Sequence, residues 1–286
     1  MTLRATPLSP HIGAEISGVD LSAELTDDTI AEIRSALLDH KVIFFRDQKL
    51  DFDCHKAFGR RFGELHVHPA APAPEDHPEL LVIHSDESSK RVAGQGWHTD
   101  VSCDAEPPMA SILYLEEVPE AGGDTLFSNM YAVYDALSDR MKDYLKGLTA
   151  VHSGKHVYRS RYYEDAQGAR HEHPETEHPI VRTHPETGRQ TIYVNEGFTT
   201  RIRKMNPIEG RAILDCLYKM AAHPEFQCRF KWTPGSVAFW DNRCVQHLAV
   251  FDYWPQVRHG VRVTIQGDRP FFQEETRPSA AALRAS

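Results

Sequence analysis

Short runs rich in β-branched and aromatic residues follow one another along this chain without a regular strand and helix alternation, and that ordering restricts the fold more than any other feature. Residues 80–83, 112–115, 125–127, 180–183, 191–194, 227–232, 237–240 and 261–265 read as strands, and 42–45 as a buried one. A doubly wound parallel sheet needs a crossover helix between successive strands, so the pattern favours an antiparallel sandwich or jelly roll. Helical spacing is confined to four stretches. Thr26 caps a face of Ile30, Ile33, Leu37 and Leu38 that ends near Lys41, and Phe52, Phe58 and Phe62 mark a second helix stopped by Gly63. The other two span 132–148 and 207–222, with Pro207 in the first turn. Pro185-Glu186-Thr187-Gly188 reads as a hairpin turn and Pro234-Gly235 as another tight turn. The expectation is a mainly β fold with flanking helices. With no internal repeat and no low-complexity linker, one domain over 1–286 is the simplest organisation.

Charge narrows the partners. The net charge of −9 over 286 residues disfavours a phosphate-backbone binder, which gathers Lys and Arg on one face, so nucleic acid is not expected. Five cysteines without a C-x-x-C pair fit a reducing compartment. Residues 1–15 carry no apolar signal segment, and no apolar run approaches the roughly 20 residues that span a bilayer. A cytoplasmic protein without membrane association is expected.

Seventeen histidines are too many to be functional individually. His-x-Asp/Glu recurs, four times as His-Pro-Glu beginning at His77, His173, His184 and His223, where proline makes a loop the natural reading. His84-Ser-Asp86 and His98-Thr-Asp100 remain. The second lies in Trp97-His98-Thr99-Asp100-Val101-Ser102, which reads as a strand or its end, and period-two alternation puts His98 and Asp100 on one face. Such a pair is either an ordinary surface pair or two ligands of one metal, which a distant His would complete as a 2-His-1-carboxylate triad. Downstream, 234–240 reads as a turn and a buried strand leading into a polar rim that ends at His247. Arg258 and Arg262 share one face of the following strand, where they are either solvated or matched to anions.

Trp-His-Thr-Asp at 97–100, Gly-Gly-Asp-Thr at 122–125, Val-Asn-Glu-Gly-Phe-Thr-Thr-Arg at 194–201, Trp-Asp-Asn-Arg at 240–243 with Gln246-His247, and Arg258 with Arg262 occur together and in order. In this the chain resembles, from about Pro7 to Phe272, the taurine dioxygenase family of Fe(II)- and 2-oxoglutarate-dependent enzymes, which includes relatives acting on 2,4-dichlorophenoxyacetate. The resemblance implies a double-stranded β-helix, that is a jelly roll, with helices outside. It implies His98, Asp100 and His247 as iron ligands, Thr125 and Arg258 as contacts to the distal carboxylate of 2-oxoglutarate, and Arg262 as the contact to the substrate's anionic group. O2 would take the third open metal position, and succinate and CO2 would leave. A homo-oligomer is compatible with the resemblance.

The resemblance also implies a substrate pocket. His68 stands where the family has a sulfonate-contacting His, and Phe198 where it has a wall aromatic. Ala71 and Gly94 stand where it has a Tyr and an Asn, while Val157 and Tyr158 fall in a lid within 152–178. A small anionic substrate with an apolar body is therefore expected: an alkyl or aryl sulfonate, a sulfate ester or a related acid. Taurine itself and an aryloxyalkanoate are the alternatives. The residues alone leave open a zinc hydrolase, a cupin-type site on His66-Val67-His68, and a non-catalytic ligand-binding jelly roll.

Overall fold

The structure is a computed structural model and describes residues 3–68, 73–92, 94–158 and 173–274. Helix α1, Asp27–His40, starts where the Thr26 hydroxyl accepts the Thr29 N–H and buries Ile30, Ile33, Ala36 and Leu37. Asp51 caps α2, Phe52–Arg60, in the same way through the Cys54 N–H. The single helix expected over 132–148 is two, α3 at Met130–Asp135 and α4 at Asp139–Leu145. Ser138 causes the break: its hydroxyl accepts the Met141 N–H and starts a new helix while Leu137 is held in the core. A short α5, Lys155–Tyr158, follows, and α6, Pro207–Ala221, carries Pro207 in its first turn as expected.

The strands, in chain order, are β1 Arg4–Pro7, β2 Ala14–Ser17, β3 Val42–Phe45, β4 Leu65–His66, β5 Leu80–Ser85, β6 Ala110–Glu117, β7 Thr125–Asn129 and β8 Thr149–Ser153. They continue as β9 Glu175–Pro179, β10 Val181–Thr183, β11 Gln190–Ile192, β12 Thr199–Ile202, β13 Gln227–Phe230, β14 Ser236–Asp241, β15 Val245–Ala249 and β16 Arg258–Ile265. One sheet runs β1-β2-β3-β14-β6-β16-β4, with β5 also paired to β16, and only its β2–β3 pairing is parallel. A three-stranded sheet, β13-β7-β15, packs against it. Phe44 of β3 stacks on Phe230 of β13 at 3.9 Å between ring centroids and meets Phe127 of β7 edge-on at 5.5 Å, so the two sheets share one apolar interior. On the outer face of the larger sheet, Phe58 and Phe62 around α2 pack on Phe239. That double cover is why all four residues of β3 are buried. Helices α3 and α6 close a third cluster over the edge formed by residues of β8 and β10 to β12. This is the β-rich architecture with flanking helices that the pattern predicts.

Two further local expectations fail, and both concern the site. Residues 97–102 are not a strand: His98 makes a single antiparallel bridge to His247, and the chain then turns, with Val101 in the left-handed region at φ 48°. His247 is not on a loop rim but in the middle of β15, because the Cys244 N–H bonds the Asp241 carbonyl and the chain reverses at once into a strand paired with β7. The polar pair Gln246 and His247 in its middle hides that strand from a hydrophobicity reading. Among the described residues no helix is long and apolar enough to cross a membrane.

Candidate metal centre and cosubstrate cleft

Two reciprocal backbone bonds, His98 N–H to His247 carbonyl at 3.1 Å and His247 N–H to His98 carbonyl at 2.9 Å, set the two imidazoles side by side with centroids 4.1 Å apart. Asp100 follows in the turn, and its Oδ1 lies 3.7 Å from His98 Nε2 and 3.9 Å from His247 Nε2. One donor atom from each of the three residues falls within 4.8 Å of the others, so His98, Asp100 and His247 form a His–Asp–His metal site. The donors are in the right state for a cation. His98 Nδ1 lies 2.9 Å from the Gly96 carbonyl, which can only accept, so Nδ1 carries the proton and Nε2 keeps its lone pair. Burial holds both imidazoles below their ordinary pKa, and both are neutral. Among the described residues His247 Nδ1 has no hydrogen-bond partner.

Two glycines make room for the His98 ring. A Cβ on Gly94 would stand 2.8 Å from His98 Cε1, and one on Gly197 would stand 2.7 Å from His98 Cβ. Gly94 also sits at φ 79°, where side chains are strained. A side chain at 94 would thus strain the backbone and press on the His98 ring.

A buried carboxylate costs several kcal/mol unless it is paired and hydrogen-bonded. Asp100 is both: Arg262 Nη1 lies 2.6 Å from Oδ1 and the Ser111 hydroxyl 2.7 Å from Oδ2. Burial alone would raise its pKa, but Arg262 first among its neighbours outweighs that and holds it well below the usual carboxylate range. Arg262 thus touches the ligand carboxylate as well as the cavity, a contact that sequence spacing did not predict.

Beside the triad lies a narrow cleft of about 50 Å³ reaching Thr125 and Arg258. The Arg258 guanidinium is buried, and its bonds run to neutral oxygens, the Gly123 carbonyl at 3.2 Å and Thr125 Oγ1 at 3.5 Å. Among the described residues no carboxylate pairs with it, and burial pulls its pKa down. Trp232, expected only as a strand residue, donates its indole N–H to Thr125 Oγ1 at 2.9 Å, which leaves the threonine proton for another acceptor. The cleft thus presents a buried guanidinium and a hydroxyl proton, groups that suit an anion.

On the other side opens a larger cavity of about 260 Å³, where His68, Gly94, Tyr158, Phe198 and Arg262 all line the wall as the resemblance implied. Leu81, Val101 and Val157 make it largely apolar, and Arg91, not foreseen, stands at its edge. His68 is neutral there: burial, then Arg262, lowers its pKa to about 3, so it offers a hydrogen bond and no charge. Tyr158 packs on Phe198 and His68 at 5.9 and 5.4 Å, but Ala71 and 159–172 of the expected lid lie outside the described residues. His66 turns away to Asp104 Oδ2 at 3.1 Å, so the paired His66/His68 site does not assemble.

A second cluster, His184, Asp241 and Cys244, is not a metal site despite its donor set. His184 Nδ1 accepts the Glu186 and Thr187 N–H groups, so its Nε2 is the protonated nitrogen and donates to Asp241 at 3.0 Å. Arg243 takes both carboxylate oxygens of Asp241. His184, read as part of a loop His-Pro-Glu, is fully buried, and what it does is lock the reversal into β15.

Comparison with known proteins gives one answer. The pattern of the taurine catabolism dioxygenase TauD, TfdA family matches residues 4–264. An alpha-ketoglutarate-dependent sulfonate dioxygenase of Saccharomyces cerevisiae is 34% identical over 94% of this chain and 68% of its own length. An alpha-ketoglutarate-dependent sulfate ester dioxygenase of Pseudomonas putida is 36% identical over 94% of this chain and 91% of its own. The crystal structure of a taurine dioxygenase from Burkholderia xenovorans superposes with a TM-score of 0.80 at 39% identity, covering 94% of this chain and 92% of that one.

Proposed function

The chain belongs to the TauD/TfdA family of 2-oxoglutarate-dependent dioxygenases, and on that footing we propose that it uses Fe(II) at His98, Asp100 and His247 to hydroxylate an alkyl or aryl sulfonate, a sulfate ester or a related acid. The donor set fits: two neutral imidazoles and one carboxylate suit a ferrous ion and leave three positions open. When bound, the iron supplies the redox chemistry by which 2-oxoglutarate and O2 become succinate and CO2 while a substrate C–H becomes C–OH.

The chain's own residues do the placing. Arg258 and the Thr125 hydroxyl take the distal carboxylate of 2-oxoglutarate, a charge-assisted pair in a desolvated cleft. Trp232 fills an acceptor site of Thr125 and so turns its proton toward that carboxylate. Arg262 meets the substrate's anionic head, with His68 as an uncharged donor beside it. Leu81, Val101, Val157 and Phe198 surround the substrate body and exclude water from the reacting C–H.

The observation that carries the substrate class is the pairing of one buried guanidinium, Arg262, with apolar walls on which Asp100 is the sole carboxylate among the described residues. Asp100 already serves Arg262 and the metal site, so an ammonium such as that of taurine finds no counter-ion. An apolar body gains about 0.8 kcal/mol for each buried CH2. Succinate formation with pentanesulfonate, hexyl sulfate, phenoxyacetate and taurine under identical iron and 2-oxoglutarate tests this. At least one of the first three should exceed taurine by roughly tenfold in kcat/KM, and a taurine optimum would overturn the substrate assignment.

A further inference from the structure

Two members of the Trp-Asp-Asn-Arg run at 240–243, Trp240 and Asn242, reach the metal centre through hydrogen bonds. Trp240 Nε1 lies 2.9 Å from Asn242 Oδ1, Asn242 Nδ2 lies 2.9 Å from Ser111 Oγ, and Ser111 Oγ lies 2.7 Å from Asp100 Oδ2. All four residues are buried. The direction of every proton in this chain follows from its far end. An indole N–H can only donate, so the Asn242 oxygen must face Trp240 and its amino group must face Ser111. Ser111 Oγ then accepts from Asn242, and its own hydroxyl proton is left for Asp100 Oδ2.

We propose that Ser111, aimed by Asn242 and Trp240, holds Asp100 Oδ2 off the metal so that Asp100 ligates through Oδ1 alone and three coordination positions stay free for 2-oxoglutarate and O2. Oδ1 is the oxygen that faces both imidazole Nε2 atoms, and Oδ2 is the one the hydroxyl engages. A carboxylate without that bond can chelate a cation with both oxygens and occupy a position the 2-oxo acid needs. Ser111, Asn242 and Trp240 are positioning residues, since they act through Asp100. Tertiary structure alone unites them: Ser111 lies in the middle of the larger sheet, directly opposite Trp240 in the β6–β14 register.

The proposal rests on the metal-site reading, and Co2+-loaded protein without O2 separates the two. Wild-type protein should take up one Co2+ and then bind 2-oxoglutarate. Ser111→Ala should keep Co2+ uptake, shift the visible ligand-field bands before 2-oxoglutarate is added, and raise the Kd for 2-oxoglutarate about tenfold. Ser111→Thr, which keeps the hydroxyl, should stay near wild type. Asn242→Asp, nearly identical in shape, should behave like Ser111→Ala, because a carboxylate at 242 draws the serine proton away from Asp100. Ser236→Ala removes an equally buried hydroxyl bonded to Arg46 and Thr233 instead, and should change nothing. Wild-type spectra and 2-oxoglutarate binding in both Ser111→Ala and Asn242→Asp would overturn the proposal, as would an equal loss in Ser236→Ala. Failure of the wild type to take up Co2+ would overturn the metal-site reading and this proposal with it.

Discussion

Arg262 Nη1 donates to Asp100 Oδ1 at 2.6 Å, and that oxygen is the one facing Nε2 of both His98 and His247. One carboxylate oxygen therefore serves a guanidinium from β16 and the metal-facing edge of the site. The arginine compensates Asp100 in the protein itself, and a cation at the triad would do so as well.

Arg262→Gln should strip the metal-free protein of that compensation and cost about 3 kcal/mol or more, the range for breaking a buried ion pair from one side. Mn2+ should then raise the Tm of Arg262→Gln more than that of the wild type, because the metal meets an otherwise unpaired charge. Equal Mn2+ shifts in the two proteins would mean that Arg262 does not neutralise Asp100.

Arg258→Ala removes the charged partner from the cosubstrate cleft and should weaken 2-oxoglutarate by about 2–5 kcal/mol, leaving the KM of the prime substrate far less affected. Trp232→Phe keeps the ring but frees the acceptor site on Thr125, so a smaller rise in the 2-oxoglutarate KM is expected, equivalent to about 1 kcal/mol. Steady-state kinetics varying each substrate in turn reads both. A rise confined to the prime substrate would relocate the cosubstrate cleft.

Gly94→Ala combines a left-handed backbone with a Cβ pressed on the His98 ring. It should weaken Mn2+ binding by about tenfold, an amount typical for disturbing what orients a ligand. Gly147→Ala supplies the control, for its φ is 74° but nothing lies within 4 Å of the added carbon. Titration calorimetry on the two variants separates strain from ligand displacement, and similar Mn2+ affinities would remove Gly94 from the site.

Acid should destabilise the fold well above the carboxylate range. Burial lowers the pKa of His55 and of His178 to about 4, with the bonds to the Ile112 and Asp104 carbonyls opposing it in part. Unfolded, both titrate near their ordinary 6.5, so between pH 6.5 and 4 the unfolded chain binds more protons and stability falls as pH falls. Each contributes a slope of up to about 1.4 kcal/mol per pH unit, which levels off below pH 4 once both states are protonated. Urea midpoints measured across this window should show the slope, and His55→Gln, able to keep the bond to Ile112, should reduce it by one proton. A flat profile from pH 6.5 to 4 would count against both assignments.

What the sequence determined by itself was chemistry carried by residue type and order. His98, Asp100, His247, Arg258 and Arg262 stood out because metals and anions demand particular donors, while a family resemblance supplied Thr125 and the grouping. The β-rich class was equally readable, because short runs rich in β-branched and aromatic residues and caps such as Thr26 act over a few residues. Tertiary structure decided everything that depends on residues far apart in the chain. Residues 245–249 became a strand through pairing with β7 although Gln246 and His247 interrupt their apolar run, since backbone bonds and not hydropathy hold them there. Ser111 and Trp232 carried no local signal at all, because a serine in a strand and a tryptophan after one are ordinary until the sheets close and place them against Asp100 and Thr125. The packing of Gly94 was equally invisible, since only the folded chain brings the His98 ring to the space where its Cβ would stand.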